Sequence, residues 1–324
     1  LFFIFSKKKQ SANKSIKRQQ AGQLYAAKSI SIPKGFFVRG NDAGFTVLTE
    51  NDPYLVSLNL DTARVKGIGT SYYFEKRNDT FFYISNNALQ FHKLFNGKEE
   101  RYSLGSNEGY IAYCNNQIYY AYESAGVNKY LEQMTVLCRK DLTTGTTDTL
   151  LNMNDYIRKN YPQAGPEEYN NIAGGRFYVL DSNKVAYVPY GINRVFLFRG
   201  NNNASFIPLN SKNLIRWKKI NSNVPGLGEV ITFATATGEA EQLNDAILYW
   251  KEKYIVINST VFNADNTDCC YLDIYNANTL TYEKSLRIQV NDKDNDFFLS
   301  FAVSNGYLAV LSAKGTLSTY KLTL

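Results

Sequence analysis

The chain has 324 residues, and its composition favours strands over helices, because 25 Tyr and 20 Phe account for most of a 15% aromatic fraction. Aromatic side chains suit pleated, half-buried surfaces, whereas one His and two Met leave little for a multi-His metal site or a helical core. The length suits one closed all-β domain. Composition therefore predicts an all-β protein without a His-based metal centre.

The net charge of +7 is concentrated at the N-terminus. Six basic side chains precede Leu24, and no acidic residue occurs before Asp42. Without those six, 30 of the 36 basic side chains remain against 29 acidic ones, so the body of the chain is nearly neutral. This distribution argues against a basic nucleic-acid-binding face, and we expect no nucleic acid among the partners.

The first six residues read LFFIFS and are followed by three Lys residues. This apolar run is too short to span a bilayer, but it fits the end of a signal-peptide apolar region and predicts export. A non-native tail is the alternative. Lys7 occupies the place at which a bacterial lipoprotein would carry its lipidated Cys, so membrane association through a lipidated N-terminus stays open. We assign 1–23 to a basic tail or signal-peptide remnant and 24–324 to the folded domain.

From residue 36 onward the sequence repeats one pattern: two strands joined by a tight turn, a variable loop, and a second such pair. Turn-forming pairs such as Asn96-Gly97 and Asn115-Asn116 separate the strands. The pattern is predicted six times, over 36–68, 72–104, 110–151, 176–209, 246–288 and 297–324. The last unit has only three strands, which are divided by Asn305-Gly306 and Lys314-Gly315.

The missing fourth strand of the last unit is predicted to come from the other end of the chain. Segment 24–32 is strand-like and belongs to no other unit, so we expect it to pair with 316–324 and close a ring. Six four-stranded units in a ring are typical of a six-bladed β-propeller. Burial of both faces of each blade explains apolar runs such as 81–84 and 254–257. Seven blades are the alternative, if 214–237 contains one.

This repeat and its strand-swapped closure resemble the TolB-like six-bladed propellers, especially the exported propeller lipoproteins of Bacteroidetes. The resemblance covers residues 24–324. It implies a protein of the Gram-negative cell envelope, in the periplasm or at the outer membrane or cell surface. There it would act as an accessory subunit that binds a protein or another macromolecule.

The long segments between strands are predicted to share one face of the propeller. In a four-stranded blade, the loop between strands two and three and the link to the next blade emerge on the same face, and the short turns emerge on the other. Loops held by a scaffold commonly carry binding, and Tyr, Trp and Arg suit contacts with a protein or glycan. The candidate binding residues are Tyr156, Arg158, Tyr161, Glu167, Glu168, Tyr169, Arg216 and Trp217. The alternative is that these side chains only pack the insertions onto the rim.

Two further functions are compatible with the sequence. Glu167, Glu168 and the Asp-rich loops share the predicted long-loop face, so a carbohydrate-active enzyme with two catalytic carboxylates is the main alternative to a non-catalytic binding protein. Binding of a small ligand in the central channel is the third. His92 stands alone in the chain, so no His-based catalytic triad can be assembled, and we expect it at the surface or between blades.

Neither acidic loops nor thiols point to a cofactor. The carboxylates of 292–296 alternate as in a calcium loop, but Phe297 and Val303 stand where a helix-loop-helix site needs Gly and Glu. Cys114 and Cys138 fall on non-adjacent strands, so a disulfide between them is not expected. The adjacent Cys269 and Cys270 are predicted to be ordinary thiols on opposite sides of a strand, with a vicinal disulfide as the alternative. We predict no cofactor and no metal.

Overall fold

The computed structural model describes residues 19–41, 43–85, 90–103, 111–124, 134–200, 205–209, 217–224, 228–235, 243–262, 268–289 and 298–323. Within these residues, the strands form six four-stranded blades in a ring. The first strand of each blade contacts the neighbouring blades near the axis, and the fourth lies at the rim. The predicted all-β, six-bladed propeller is confirmed.

The strands of the first three blades follow two N-terminal strands, β1 (Gln20–Leu24) and β2 (Lys28–Ser31). Blade 1 consists of β3 (Gly35–Asn41), β4 (Gly44–Thr49), β5 (Tyr54–Ser57) and β6 (Thr62–Arg64). Blade 2 consists of β7 (Ser71–Arg77), β8 (Thr80–Ser85), β9 (Gln90–Phe95) and β10 (Lys98–Ser103). Blade 3 consists of β11 (Ala112–Cys114), β12 (Gln117–Ser124), β13 (Met134–Asp141) and β14 (Thr147–Asn152).

The second half of the ring contains two insertions. Helices α1 (Met153–Asn160) and α2 (Tyr169–Ala173), with the 3-10 helix Pro166–Glu168 between them, precede blade 4. Blade 4 consists of β15 (Gly175–Asp181), β16 (Lys184–Pro189), β17 (Arg194–Arg199) and β18 (Ser205–Pro208). A separate hairpin of β19 (Trp217–Val224) and β20 (Gly228–Thr235) follows. This hairpin occupies the segment that was the candidate for a seventh blade.

The last two blades complete the circle. Blade 5 consists of β21 (Leu243–Trp250), β22 (Lys253–Phe262), β23 (Asp268–Asn276) and β24 (Tyr282–Gln289). Blade 6 consists of β25 (Phe298–Ser304), β26 (Tyr307–Ser312) and β27 (Thr316–Lys321), with β2 as its fourth strand. No helix within the described ranges is long and apolar enough to cross a membrane.

Strand β2 closes the ring as the sequence predicts. It pairs antiparallel with β27, from Lys28 opposite Thr319 to Ser31 opposite Thr316. The Ile32 N–H then donates to the Gly315 carbonyl at 2.7 Å. The Ile32 side chain is 1% exposed and packs in the core between blades 6 and 1. Burial of this side chain couples the N-terminal segment to the core of the ring.

Strand β1 adds a second attachment that the sequence analysis did not predict, since it placed 1–23 in a tail. It lies parallel to β24 at the outer edge of blade 5, with Gln20 opposite Ser285 and Leu24 opposite Ile288. The backbone of Gln19 accepts from the Ser285 N–H at 2.9 Å and donates to the Tyr282 hydroxyl at 3.0 Å. The N-terminal segment therefore fastens to blades 5 and 6 in succession.

Blades 6 and 1 approach each other closely where the ring closes. The Ser300 hydroxyl of β25 accepts from the backbone N–H of Val38 at 3.1 Å, across the two first strands. A Cβ atom at Gly40 would lie 2.0 Å from the carbonyl oxygen of Val303. Residue 40 must therefore lack a side chain for these two strands to meet.

We expect Gly40→Ala to lower the free energy of unfolding by about 1–3 kcal/mol, because the added methyl group would force blades 6 and 1 apart. Thermal and urea unfolding would measure this change. Gly22→Ala is the matched control, since its Cβ would lie 3.8 Å from Leu286, an ordinary contact. Equal stability of the two variants would contradict the tight closure described above.

Removal of the N-terminal segment should destabilise the domain in proportion to the attachments that are lost. A chain that starts at Pro33 loses β1, β2 and the buried Ile32 side chain, whose burial alone contributes roughly 1.5–3 kcal/mol. A chain that starts at Ala21 keeps β2 and most of β1, and it should melt close to the intact protein. Differential scanning calorimetry would compare the two, and equal melting temperatures would refute closure by β2.

Candidate functional site

The two faces of the propeller differ in the lengths of their loops. Two-residue turns join the first and second strands of the blades on one face, which we call the turn face. Asn305 and Gly306 illustrate them, with φ of 45° and 80°, a left-handed pair that fits the strand twist. The opposite face, here the long-loop face, carries the insertion 153–174 and the link that contains the β19–β20 hairpin. The structure thus shows the asymmetry that the repeat predicts.

Helix α1 is fixed to blade 3 by its first turn. The Asn152 side chain caps the helix by accepting from the Asp155 N–H at 3.2 Å. The Asn154 side chain accepts from the Thr135 N–H at 3.0 Å, and this bond is buried. Met153 and Ile157 are fully buried in the core between blades 3 and 4. The helix is therefore held as part of the scaffold.

Three predicted binding residues, Tyr161, Glu168 and Tyr169, are buried where the insertion packs on the ring. Tyr161 is 5% exposed, and its hydroxyl donates to the Asn193 side-chain oxygen at 3.2 Å. Tyr169 packs in the core between blades 3 and 4, and Glu168 accepts from the Gly165 N–H at 2.8 Å. Burial raises the pKa of the Tyr161 phenol. These side chains hold the insertion in place, which is the alternative role considered for them.

Tyr156 stands at the edge of the same insertion. Its half-buried ring meets Phe196 edge-on, with centroids 4.9 Å apart, and its hydroxyl accepts from the Arg194 guanidinium. Burial raises the pKa of the Tyr156 phenol, and Arg194 partly offsets that rise. The aromatic face of α1 is thereby joined to a cation on blade 4.

The other predicted site residues divide between exposed and undescribed positions. Arg158 projects from α1 with 67% of its side chain exposed and forms only a loose ion pair with Asp155 at 3.5 Å. Glu167 lies in the 3-10 helix and Trp217 begins β19, but their side chains are not described. Arg216 lies outside the described residues.

Two residues that the sequence analysis missed complete an exposed patch beside α1. Phe206 of β18 is 43% exposed, and the Arg194 guanidinium carbon lies 4.5 Å from its ring centroid. Both residues lie on blade strands among hydrophobic residues, whereas the sequence candidates were taken from the long loops. The position of Phe206 on a fourth strand was the available signal, since that strand lies at the rim. Arg194 contacts both Tyr156 and Phe206, and Arg158 lies two residues after Tyr156 on the same helix; we call these four residues the rim patch.

His92 forms a separate polar cluster on blade 2. It is 5% exposed, stacks on Tyr83 with ring centroids 4.6 Å apart, and its Nδ1 lies 2.8 Å from Glu99 Oε1. Glu99 also accepts from the Tyr83 hydroxyl at 2.5 Å and from Arg101 Nε at 2.7 Å. These bonds, that of Tyr83 foremost, lower the pKa of the Glu99 carboxyl to about 2. Burial, with the bond to Glu99, raises the pKa of Tyr83 to about 12.

The remaining sequence candidates give no metal centre among the residues that the structure describes. No group of three His, Cys, Asp or Glu side chains there could hold an ion. The acidic loop 290–297 lies outside the described residues. Cys114 packs between blades 3 and 4 and Cys138 between blades 2 and 3, so the two thiols face opposite sides of one blade.

Several solved structures align with this chain at low sequence identity. A member of the DUF4221 family from Bacteroides vulgatus aligns with a TM-score of 0.56 and 13% identity, over 93% of this chain and 98% of that chain. Virginiamycin B lyase from Staphylococcus aureus aligns with a TM-score of 0.47 and 12% identity, over 91% of this chain and 99% of that chain. BamB from Moraxella catarrhalis aligns with a TM-score of 0.40 and 10% identity, over 92% of this chain and 100% of that chain.

The similarity to the DUF4221-family structure shows the fold and no more, because the identity is only 13%. The six-bladed propeller fold that the resemblance to TolB-like propellers implies is confirmed. No protein-family description and no curated protein matches the sequence. A functional conclusion therefore has to come from the surface itself.

The Glu99 cluster should make stability depend on pH below 4.5. The pKa of the folded carboxyl, about 2, lies below its ordinary value of 4.5, so its stabilising effect is present above pH 4.5 and is lost as pH falls toward 2. Glu99→Gln should flatten this part of the stability curve, as measured by urea unfolding at stepped pH. Glu252→Gln, on an exposed turn, should leave the slope intact; an unchanged slope in Glu99→Gln would contradict the assignment.

Proposed function

We propose that this propeller is a non-catalytic binding protein that contacts a protein partner through its long-loop face. We further propose that it is exported and serves as an accessory subunit of a cell-envelope complex. The observation that carries the binding proposal is the rim patch. It presents the exposed Phe206 ring and the Arg194 guanidinium on blade 4, and the exposed Arg158 guanidinium on an insertion that is anchored in the core.

The chemistry of the rim patch suits a protein interface. Phe, Tyr and Arg are enriched at the energetic centres of interfaces, because they offer a large contact area with polar ends. Rigid anchoring of α1 also lowers the entropy that binding would cost. The excess of Arg158, Lys159 and Arg194 over Asp155 favours a partner with an acidic surface. We propose that Arg216 and Trp217 also contribute to this contact surface.

Export is supported by the apolar run at 1–6, which fits part of a signal-peptide apolar region. Association with the membrane through a lipidated N-terminus is part of the same proposal, and intact-mass measurement of the natural protein would test it.

The enzyme alternative is less well supported by the geometry. Acid catalysis on a glycan needs two accessible carboxyl groups flanking one bond. Glu168 is 2% exposed, and its carboxylate accepts from the Gly165 N–H. One of the two predicted carboxylates is therefore engaged in shaping the insertion.

Site-specific photo-crosslinking would test the binding proposal. A photoreactive amino acid at position 158 should give an adduct with one protein of an envelope extract. The same group in place of Phe95, which is 48% exposed beside a short turn of blade 2, should not. With the identified partner purified, Phe206→Ser and Arg158→Glu should each weaken binding about tenfold, which corresponds to about 1.4 kcal/mol.

Phe95→Ser is the matched control and should bind as the unaltered protein does. Equal weakening by Phe95→Ser and Phe206→Ser would refute the rim patch as the contact surface. Release of reducing ends from a polysaccharide panel, abolished by Glu167→Gln, would refute the non-catalytic assignment in favour of a glycan-cleaving enzyme.

A further inference from the structure

A cluster of cations and aromatic rings crosses the central channel. Arg176 is the second residue of β15 in blade 4, and its guanidinium carbon lies 5.4 Å from the ring centroid of Phe37 in blade 1. In a ring of six blades these two blades are opposite each other. Arg176 therefore spans the channel.

Arg39 of blade 1 reaches the same place from the other side. Its guanidinium carbon lies 5.1 Å from the Phe37 centroid and 4.2 Å from that of Tyr73 in blade 2. Its Nη2 donates to the Ile111 carbonyl of blade 3 at 3.0 Å. Two guanidinium groups from opposite blades thus contact one aromatic ring.

The positive charge of Arg39 has no counter-ion in the part of the chain that the structure describes. Its Nε is buried without a hydrogen-bond partner there, and its only hydrogen-bond acceptor is the neutral Ile111 carbonyl. Arg39 is partly buried, and contact with two rings offsets about 0.5–2 kcal/mol each of the cost of removing part of its charge from water. A second guanidinium on the same ring adds repulsion. An anion between the two would relieve both costs.

The cluster lies near the long-loop face. Phe37 and Tyr73 are the third residues of their strands, Arg176 is the second, and Ile111 directly precedes β11. First strands enter each blade from the long-loop face, so these positions lie at the mouth of the channel on that face. Tyr190, whose ring centroid lies 5.9 Å from the Arg176 guanidinium carbon, adds a further aromatic wall.

We propose that the mouth of the channel binds a small molecule through a carboxylate or phosphate group, held between Arg39 and Arg176. Guanidinium groups bind both oxyanions in a bidentate manner, and the partly exposed ring of Tyr190 favours a ligand with a flat or apolar body. This site is separate from the rim patch and does not depend on a protein partner.

Isothermal titration calorimetry at low salt with three related probes tests the proposal. Glucuronate and glucose 6-phosphate carry the two oxyanions on one sugar frame, and glucose is the neutral control. We expect at least one anionic probe to bind, glucose to fail, and affinity to fall with added sodium chloride. Which of the two binds more tightly distinguishes a carboxylate from a phosphate ligand.

Substitutions locate the binding. Arg39→Gln and Arg176→Gln should each weaken the bound probe at least about tenfold. Arg199→Gln, which removes an exposed guanidinium at the far end of β17, should not. Arg39→Lys and Arg176→Lys keep the charge without the planar fork and should fall between these limits, which covers the event that a Gln variant fails to fold.

Failure of both anionic probes to bind the intact protein would overturn the proposal. An equal loss of probe affinity in Arg199→Gln and in the Arg39 and Arg176 variants would overturn it as well. Partner capture through position 158 should be unchanged in Arg39→Gln, so failure of this inference is distinguishable from failure of the proposed function.

Discussion

The architecture depends on the hydrogen bonds between β2 and β27, because a ring of blades has no stable end until its last sheet is complete. Without β2, the edge of β27 would be unpaired and the core around Ile32 would open to water. The close approach of Gly40 to Val303 depends on the same closure, since it occurs between the first and last blades. The positions of the residues at the rim and in the channel therefore depend on the closure between blades 6 and 1.

Closure matters for function because it allows the long-loop face to be rigid. The insertion between blades 3 and 4 buries Tyr161, Tyr169 and Ile157 and leaves Tyr156 and Arg158 at its edge. An exposed surface on such a scaffold is preorganised, so binding would not have to order it first. The same geometry brings side chains of opposite blades together in the channel, which no local segment could do.

Local signals in the sequence predicted the fold well. Asn305-Gly306 and its counterparts identify the tight turns, and the incomplete last unit identifies the closing strand. Strand β1 could not be predicted in this way, because its sequence QAGQL has neither apolar alternation nor a turn signal. The binding residues were harder to predict than the fold. Tyr161 and Arg158 belong to one insertion, but Tyr161 is buried and Arg158 is exposed. Arg194 and Phe206 form a surface only through pairing of β17 with β18.

The two attachments of the N-terminal segment also give the protein a mechanical character. Strand β1 runs parallel to β24, so a pull on its N-terminal end acts along the strand and loads the hydrogen bonds from Gln20 to Leu24 together. After three connecting residues, β2 forms a second attachment, antiparallel to β27 of the next blade. The ring is thus joined to whatever precedes residue 19 by two shear joints in series. A load from that side would reach the closing strand only after the first joint had failed.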